Sequence, residues 1–297
     1  RRIGNMENRI AVTESGGFSA ASRVRTLRSN CSRKAFEAMV RRAKQYIRAG
    51  DIYQANLSRQ FSFDFDGEPL RLYERLRKVN PSPFSSFFDF GDLTIVSASP
   101  ERLIRLIGDR CETRPIAGTI RRGHSAAEAH RLSRHLVRDP KERAEHLMLV
   151  DLERNDLGRV CRYRSVRIRK MMMTEKYSHV IHIVSSITGR LRSGKDRFDL
   201  LKAVFPGGTI TGCPKIRSME IIEELEPCAR GLYTGSIGYI DFNGNMDWNI
   251  VIRTLILHGR KGFIQTGAGI VHDSKPDKEY RETLHKAKAL ILSLKRR

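Results

Sequence analysis

Apolar positions recur along this chain with two different spacings. Over residues 32–49 they fall at Phe36, Met39, Val40, Ala43 and Ile47, one stripe of a helix, and Gly50 stands where that helix would stop. Over residues 53–65 apolar positions alternate, the two-residue period of a strand. Pro81 and Pro83 break the chain, and two further strands fit 85–90 and 93–98 about a Gly91-Asp92 turn. A helical stretch over 125–150 is interrupted at Asp139-Pro140, where a new helix begins. Residues 179–191 read as a strand and 196–204 as a short helix. A glycine-rich loop and a helix over 214–225 follow. Strands fit 232–241, 247–258 and 262–267, and a last helix runs from about Lys275 to the end. Hairpins with helices between them predict an α+β fold of antiparallel sheets and helices. With no linker in the middle, one large domain is expected over 33–297, after a polar, poorly packed lead-in over 1–32.

Composition narrows the classes. The chain has 297 residues, 40% hydrophobic and 30% charged, which suits a soluble globular protein. No stretch approaches the ~20 apolar residues of a membrane span, and no signal peptide opens the chain. It begins at Arg1 without a methionine, so upstream sequence is expected to be missing. Five scattered cysteines, with no C-x-x-C, argue against a disulfide framework or zinc site and fit a reducing cytoplasm. The net charge of +22 could attract nucleic acid, serve an anionic substrate or be general surface charge concentrated over 21–42 and 159–170. No helix-turn-helix, RNA-binding aromatic motif or zinc finger is present, so the surface reading is preferred and no specific nucleic-acid partner is expected.

Two short helical stretches each place a glutamate pair one turn apart: Glu142 and Glu145, and Glu279 and Glu282. Alone, such pairs are usually solvated helix faces. If they converge, four carboxylates call for a cation, and an oxygen donor set suits Mg²⁺. The loop 205–215 joins adjacent glycines to the hydroxyls of Thr209 and Thr211 ahead of a helix, an anion-binding pattern or a tight structural turn. Gly267, Ala268 and Gly269 read as a small-residue turn with exposed N–H groups that could bind a carboxylate. Arg253 sits inside an apolar strand and needs an acidic partner or a bound anion. Lys286 shares a helix face with Glu282, as an ion pair or a carboxylate anchor. His182 lies in an apolar run and reads first as a core residue. Glu101, at a strand end, reads as a cap, a surface pair or, if buried, a general acid.

The combination resembles the chorismate-utilising enzymes: anthranilate synthase component I, aminodeoxychorismate synthase component I, isochorismate synthase and salicylate synthase. The matching segments are collinear from about residue 34 onward. They include Gly50-Asp-Ile-Tyr-Gln-Ala-Asn-Leu-Ser58, Ser99-Pro-Glu101, Arg114-Pro-Ile-Ala-Gly-Thr119 and Lys141-Glu-Arg-Ala-Glu-His146. Val150-Asp-Leu-Glu-Arg-Asn-Asp-Leu-Gly158, the 205–215 loop, Tyr233-Thr-Gly235, Arg253-Thr254, Gly267-Ala-Gly269 and 279–283 complete the set. The resemblance implies one sandwich-like catalytic domain with Mg²⁺ between the glutamate helices. Glu145 and Glu282 would be direct ligands, with Glu142 and Glu279 assisting. The metal would hold the ring carboxylate of chorismate. Arg253, Tyr233, Lys286 and the amides of Gly267–Gly269 would hold carboxylates, chiefly the enolpyruvyl one. Glu101 would protonate the departing C4 hydroxyl, with His182 beside the ring. Isochorismate and salicylate synthases carry a lysine base where this chain has Gln54, so ammonia is the implied nucleophile. No glutaminase machinery is visible, so ammonia would come from a glutamine amidotransferase subunit. Asn80-Pro-Ser-Pro-Phe84 and the two glycines Gly207 and Gly208 favour 4-amino-4-deoxychorismate as product. Ala117, where many such enzymes carry a lysine, favours anthranilate instead. A region upstream of the lead-in that would hold a feedback site is implied to be absent.

Overall fold

The computed structural model describes residues 23–295 except 124 and 177–179; side chains of 23–26 are not described. In chain order the elements begin with β1 (Arg23–Ser29), α1 (Arg33–Ala49), β2 (Gln54–Asp66), α2 (Pro69–Val79), β3 (Phe84–Asp89) and β4 (Leu93–Ser99). Next come β5 (Arg102–Ile107), β6 (Arg110–Thr113), β7 (Ile116–Arg121), α3 (Ala126–Arg138) and α4 (Pro140–Gly158). They are followed by β8 (Arg167–Lys176), β9 (Val180–Arg190), α5 (Arg197–Val204), α6 (Gly208–Thr211), β10 (Gly212–Cys213) and α7 (Lys215–Leu225). The chain ends with β11 (Gly238–Ile240), β12 (Met246–Asn249), β13 (Thr254–His258), β14 (Lys261–Ile270) and α8 (Pro276–Leu294).

The strands form two antiparallel sheets. One runs β1-β2-β14-β13-β4-β3, with β10 also on β2; the other runs β11-β12-β5-β6-β9-β7, with β8 also on β9. This is the α+β architecture the hairpin pattern predicts. In β2 the odd positions Ala55, Leu57, Phe61, Phe63 and Phe65 pack under α1, α2, α7 and α8. The even positions Gln54, Asn56 and Ser58 face the other way and are buried too. Polar residues share that second face across the register, Gln265 opposite Gln60 and Thr254 opposite Ser97. Beneath the second sheet, Leu103, Ile104 and Cys111 pack on Val150 and Leu157 of α4 and Leu200 and Val204 of α5. Each fully buried Leu or Phe contributes roughly 1.5–3 kcal/mol relative to exposure.

Local chemistry sets the helix limits. Ser32 Oγ accepts from the Ala35 N–H at 3.2 Å, and Gly50 closes α1 with φ 84°. Pro69, Pro140 and Pro276 occupy first helical turns, where a missing N–H costs nothing.

Two of the crossings between the sheets run side by side, at residues 99–102 and 249–254. The Ile250 N–H donates to Glu101 O at 3.0 Å and the Ala98 N–H to Arg253 O at 3.1 Å. Ser99 Oγ donates to Ile250 O at 2.5 Å.

Several expectations need correction. Within the expected lead-in, Arg23–Ser29 is a strand on the edge of β2; residues 1–22 lie outside the described residues. The strand expected over 232–241 is reduced to Gly238–Ile240, because Tyr233–Gly235 turns with Thr234 at φ 65°. The strand expected over 247–258 is two strands in different sheets, and Arg253 occupies the break with φ 50°. Gly267–Gly269 is no turn: it lies inside β14, opposite Leu57 and its neighbours. Besides β1, seven elements, α2, β5, β6, β7, β8, α6 and β10, arise where no element was expected.

Candidate active site

Asp139 sets the first glutamate pair. Its Oδ1 accepts from the N–H groups of Lys141 at 2.9 Å and Glu142 at 3.2 Å, which starts α4. Glu142 then lies in the first turn, where the helix dipole favours an anion. Its Oε2 sits 2.9 Å from where a Cβ on Gly118 of β7 would stand. One turn on, Glu145 Oε1 accepts from Gln54 Nε2 at 3.3 Å. Gln54 in turn leaves no space over Gly269, where an added Cβ would lie 2.4 Å from Nε2. On α8, Glu279 is buried and bonded to Ser274, while Glu282 Oε1 meets Lys286 Nζ at 2.7 Å.

These carboxylates share one electrostatic field. Burial lifts Glu145 to about 7, and Glu142 and Glu282 add to the rise while Lys141 and Lys286 oppose it. Burial also raises Glu142 and Glu279, and Glu282 raises both further. Among the described residues, no three His, Cys, Asp or Glu side chains close tightly enough to hold a metal ion. The donor set nevertheless fits a hard divalent cation: oxygen ligands from two helix starts, desolvated and repelling one another, gain from a positive charge between them.

Glu101 and Arg253 lie on the two crossovers. Glu101 is 5% exposed, and burial pushes its carboxyl to about 7. The Thr209 hydroxyl, the Ile116 backbone, Arg253 and Lys286 pull downward without offsetting the rise. Thr209 is close enough to act on Glu101, yet neither Thr209 Oγ1 nor Glu101 Oε1 has an aligned hydrogen-bond partner. His182, on β9, is buried with Nδ1 2.9 Å from Thr119 Oγ1. Burial and then Arg253 lower its pKa to about 4, so the ring is neutral at pH 7. Arg253 thus acts electrostatically on Glu101 and His182 together.

The second half of β14 supplies backbone. Lys286 Nζ donates to Gly267 O at 3.0 Å, and the opposite residue Ser58 gives its N–H to Glu226 Oε1 at 2.7 Å. Gly267 and Ser58 are therefore a non-hydrogen-bonded pair, and Gly267 turns its N–H and C=O away from β2. Gly269, two residues on, does the same. The Ala268 amide points toward β2, so of the three expected donors only the two glycines remain available. Tyr233 is buried with its hydroxyl 3.0 Å from where a Cβ on Gly267 would stand, and burial raises that hydroxyl's pKa. Arg230 fixes the loop beneath it through Glu226, the Ile210 carbonyl at 2.8 Å and the Asn56 carbonyl. Thr211 is turned inward: its hydroxyl donates to Gly207 O at 2.9 Å. Sequence reasoning passed over the Gln54–Glu145 contact, which the approach of α4 to β2 makes, and the Thr119–His182 pair, which the β7–β9 register makes.

Over residues 4–292 the chain matches the family described as chorismate binding enzyme. It is 54% identical over 267 residues to anthranilate synthase component 1 of Aquifex aeolicus, covering 90% of this chain and 54% of that protein. It is 53% identical over 259 residues to aminodeoxychorismate synthase component 1 of Bacillus subtilis, covering 87% and 55%. The crystal structure of anthranilate synthase component I from Streptococcus pneumoniae superposes with a TM-score of 0.87 at 40% identity, over 97% of this chain and 65% of that one. The menaquinone-specific isochorismate synthase from Escherichia coli shares the fold, with a TM-score of 0.84 at 20% identity over 98% and 68%. The chain spans about half the length of the curated relatives it matches.

Proposed function

Since the chain belongs to the chorismate binding enzymes, we propose that it aminates chorismate to 4-amino-4-deoxychorismate, with ammonia from a glutamine amidotransferase subunit. The observation that carries this reading is the buried, protonatable Glu101 sharing a field with Arg253 and Lys286, in a molecule whose glutamate helices also converge. Mg²⁺, held by Glu145 and Glu282 with Glu142 and Glu279 assisting, would supply the positive charge that binds the ring carboxylate. Arg253, Lys286 and the free amides of Gly267 and Gly269 bind the enolpyruvyl carboxylate, with Tyr233 bracing the strand. Glu101, neutral below about 7, gives its proton to the C4 hydroxyl, which leaves as water. His182 is neutral beside the ring at pH 7 and so does not serve as a cationic proton donor there. Gln54 is no base, so water is not activated; its buried, unpartnered Oε1 can accept an N–H from ammonia. The names of the relatives, each a component 1, support a second component as the ammonia source.

A second reading gives anthranilate and pyruvate. Ala117 favours it: this residue is 7% exposed on β7, and no amine at that position can form a covalent bond to the ring. Incubation with chorismate, Mg²⁺ and ammonium decides. Aminodeoxychorismate, convertible to 4-aminobenzoate by a lyase, supports the first reading, and anthranilate with pyruvate the second. Chorismate left unconsumed, with folded protein and partner supplied, overturns both.

A further inference from the structure

Where the first sheet meets the glycines of the site, it narrows to two strands. β1 pairs with β2 only over 61–66, and β10 pairs with it only at Gln54 and Ala55. β13 pairs with β14 only over 261–264. Residues 56–59 of β2 and 266–269 of β14 are therefore a ribbon with no third strand on either side among the described residues. One edge of the ribbon presents the backbone of Gly267 and Gly269, and Lys286 takes the Gly267 carbonyl there. The other edge is closed by two side chains. Glu226 Oε1 accepts from the Ser58 N–H at 2.7 Å, and Arg230 Nη2 donates to the Asn56 carbonyl. The guanidinium also holds Glu226 with two bonds, Nε to Oε2 at 3.0 Å and Nη2 to Oε1 at 2.7 Å. Its Nη1 donates to Ile210 O at 2.8 Å and to Thr234 Oγ1 at 3.5 Å. All five N–H donors of the arginine are used. The two side chains are 14% and 3% exposed, and the Tyr233 ring centroid lies 5.7 Å from the guanidinium carbon.

We propose that the Arg230–Glu226 pair positions the groups that bind the substrate carboxylate, by standing in for the edge strand that this ribbon lacks. The inference rests on the reading of Gly267, Gly269 and Tyr233 as groups at the enolpyruvyl carboxylate. A two-stranded ribbon is marginal alone, and its bare edge leaves main-chain donors and acceptors without partners. Here one ion pair supplies both missing partners, at Asn56 and Ser58, directly across β2 from Gly269 and Gly267. The same guanidinium binds the Ile210 carbonyl, between Thr209 and Thr211, and the Thr234 hydroxyl next to Tyr233. Three chain segments that carry site residues are thus referred to a single planar group. An ion pair this far out of water gains little over apolar packing, because desolvation offsets the attraction. Its contribution is geometric: the glycine amides and the Tyr233 hydroxyl over Gly267 keep one spacing. Both residues lie on the edge of β2 away from the glycine backbone that faces substrate, so they are positioning residues. Lysine cannot replace the arginine, since its three donors leave from one atom and cannot span these acceptors.

The test compares Arg230→Lys, Glu226→Gln and Tyr233→Phe, assayed with chorismate, Mg²⁺ and ammonium, with amide hydrogen exchange followed by mass spectrometry. Partial unfolding lowers kcat through the active fraction and leaves KM alone, so KM separates positioning from stability. In Arg230→Lys the KM for chorismate should rise about tenfold or more, with the KM for ammonium unchanged. Glu226→Gln keeps the size of the side chain and an acceptor for Ser58, so it folds even where Arg230→Lys does not. Its KM for chorismate should rise about threefold or more. The KM increases of Arg230→Lys and Tyr233→Phe should not multiply in the double variant, because one acts through the other. Amides over 56–58 and 267–269 should exchange faster in both charge variants, with those of α3 unchanged. Wild-type KM in folded Glu226→Gln and Arg230→Lys, beside a raised KM in Tyr233→Phe, overturns this inference alone. Unchanged exchange over the ribbon also overturns it. Wild-type KM in Tyr233→Phe overturns the carboxylate reading beneath it, and the exchange rates then still decide whether the pair braces the ribbon.

Discussion

At the scale of single residues, opposite demands are met by neighbouring carboxyls. In the proposed reaction Glu145 and Glu282 would gain from being ionised around a cation, whereas Glu101 would have to hold a proton at neutral pH. Glu145→Gln or Glu282→Gln should cost more turnover than the roughly 10–100-fold lost when only a supporting group of a metal site is removed. Thermal midpoints should hold or rise, because each change relieves repulsion among part-buried carboxylates. Full activity in either variant, measured in excess Mg²⁺, would remove the metal assignment. For Glu101 the sign follows from a pKa raised to about 7. The acid form fills below that value, so kcat/KM should be level on the acid side and fall about tenfold per pH unit above it. The same shift makes the native state hold a proton that the unfolded chain releases, so this group's contribution to stability declines as pH rises from 4.5 towards 7. Glu101→Gln should lose about 10²–10⁴ in kcat and abolish that limb.

At the scale of elements, what the sequence shows and hides has particular causes. The helices α1, α4, α7 and α8 and the long strand β2 were legible because each carries a sustained apolar period or a proline-marked start. The short strands β5–β7 and the edge strand β8 were not. β8 is exposed along most of its length and carries Arg167, Arg169 and Lys170, so it has no apolar face to read. Arg253 was misplaced because the run around it is apolar on both sides of a break that only positive φ reveals. The glutamate pairs were legible as pairs; their convergence with Gln54, Gly118 and Gly269 depends on pairings distant in sequence. Asp139→Ala should cost about 1 kcal/mol, the usual loss for a helix cap, in a urea titration. Its effect on turnover should exceed that on stability, since Glu142 loses its anchor. Gly269→Ala should impair catalysis first, because its Cβ would displace Gln54 from Glu145. Unchanged KM and kcat in Gly269→Ala would show that Gln54 is not held where it matters.

At the scale of the whole molecule, the net charge of +22 has no matching nucleic-acid motif. Binding to duplex DNA should be weak, independent of base sequence and lost by physiological salt, as a gel-shift series would show. Sequence-selective binding surviving there would give the charge a different meaning. Among the described residues, no helix is long and apolar enough to cross a membrane. The paired crossovers carry a mechanical consequence. Glu101 and Arg253 sit on neighbouring crossover segments between the two sheets, tied to each other's segments by main-chain bonds. Opening or closing the sheets like covers of a book would change the width away from these crossovers. The spacing between proton donor and guanidinium would stay the same.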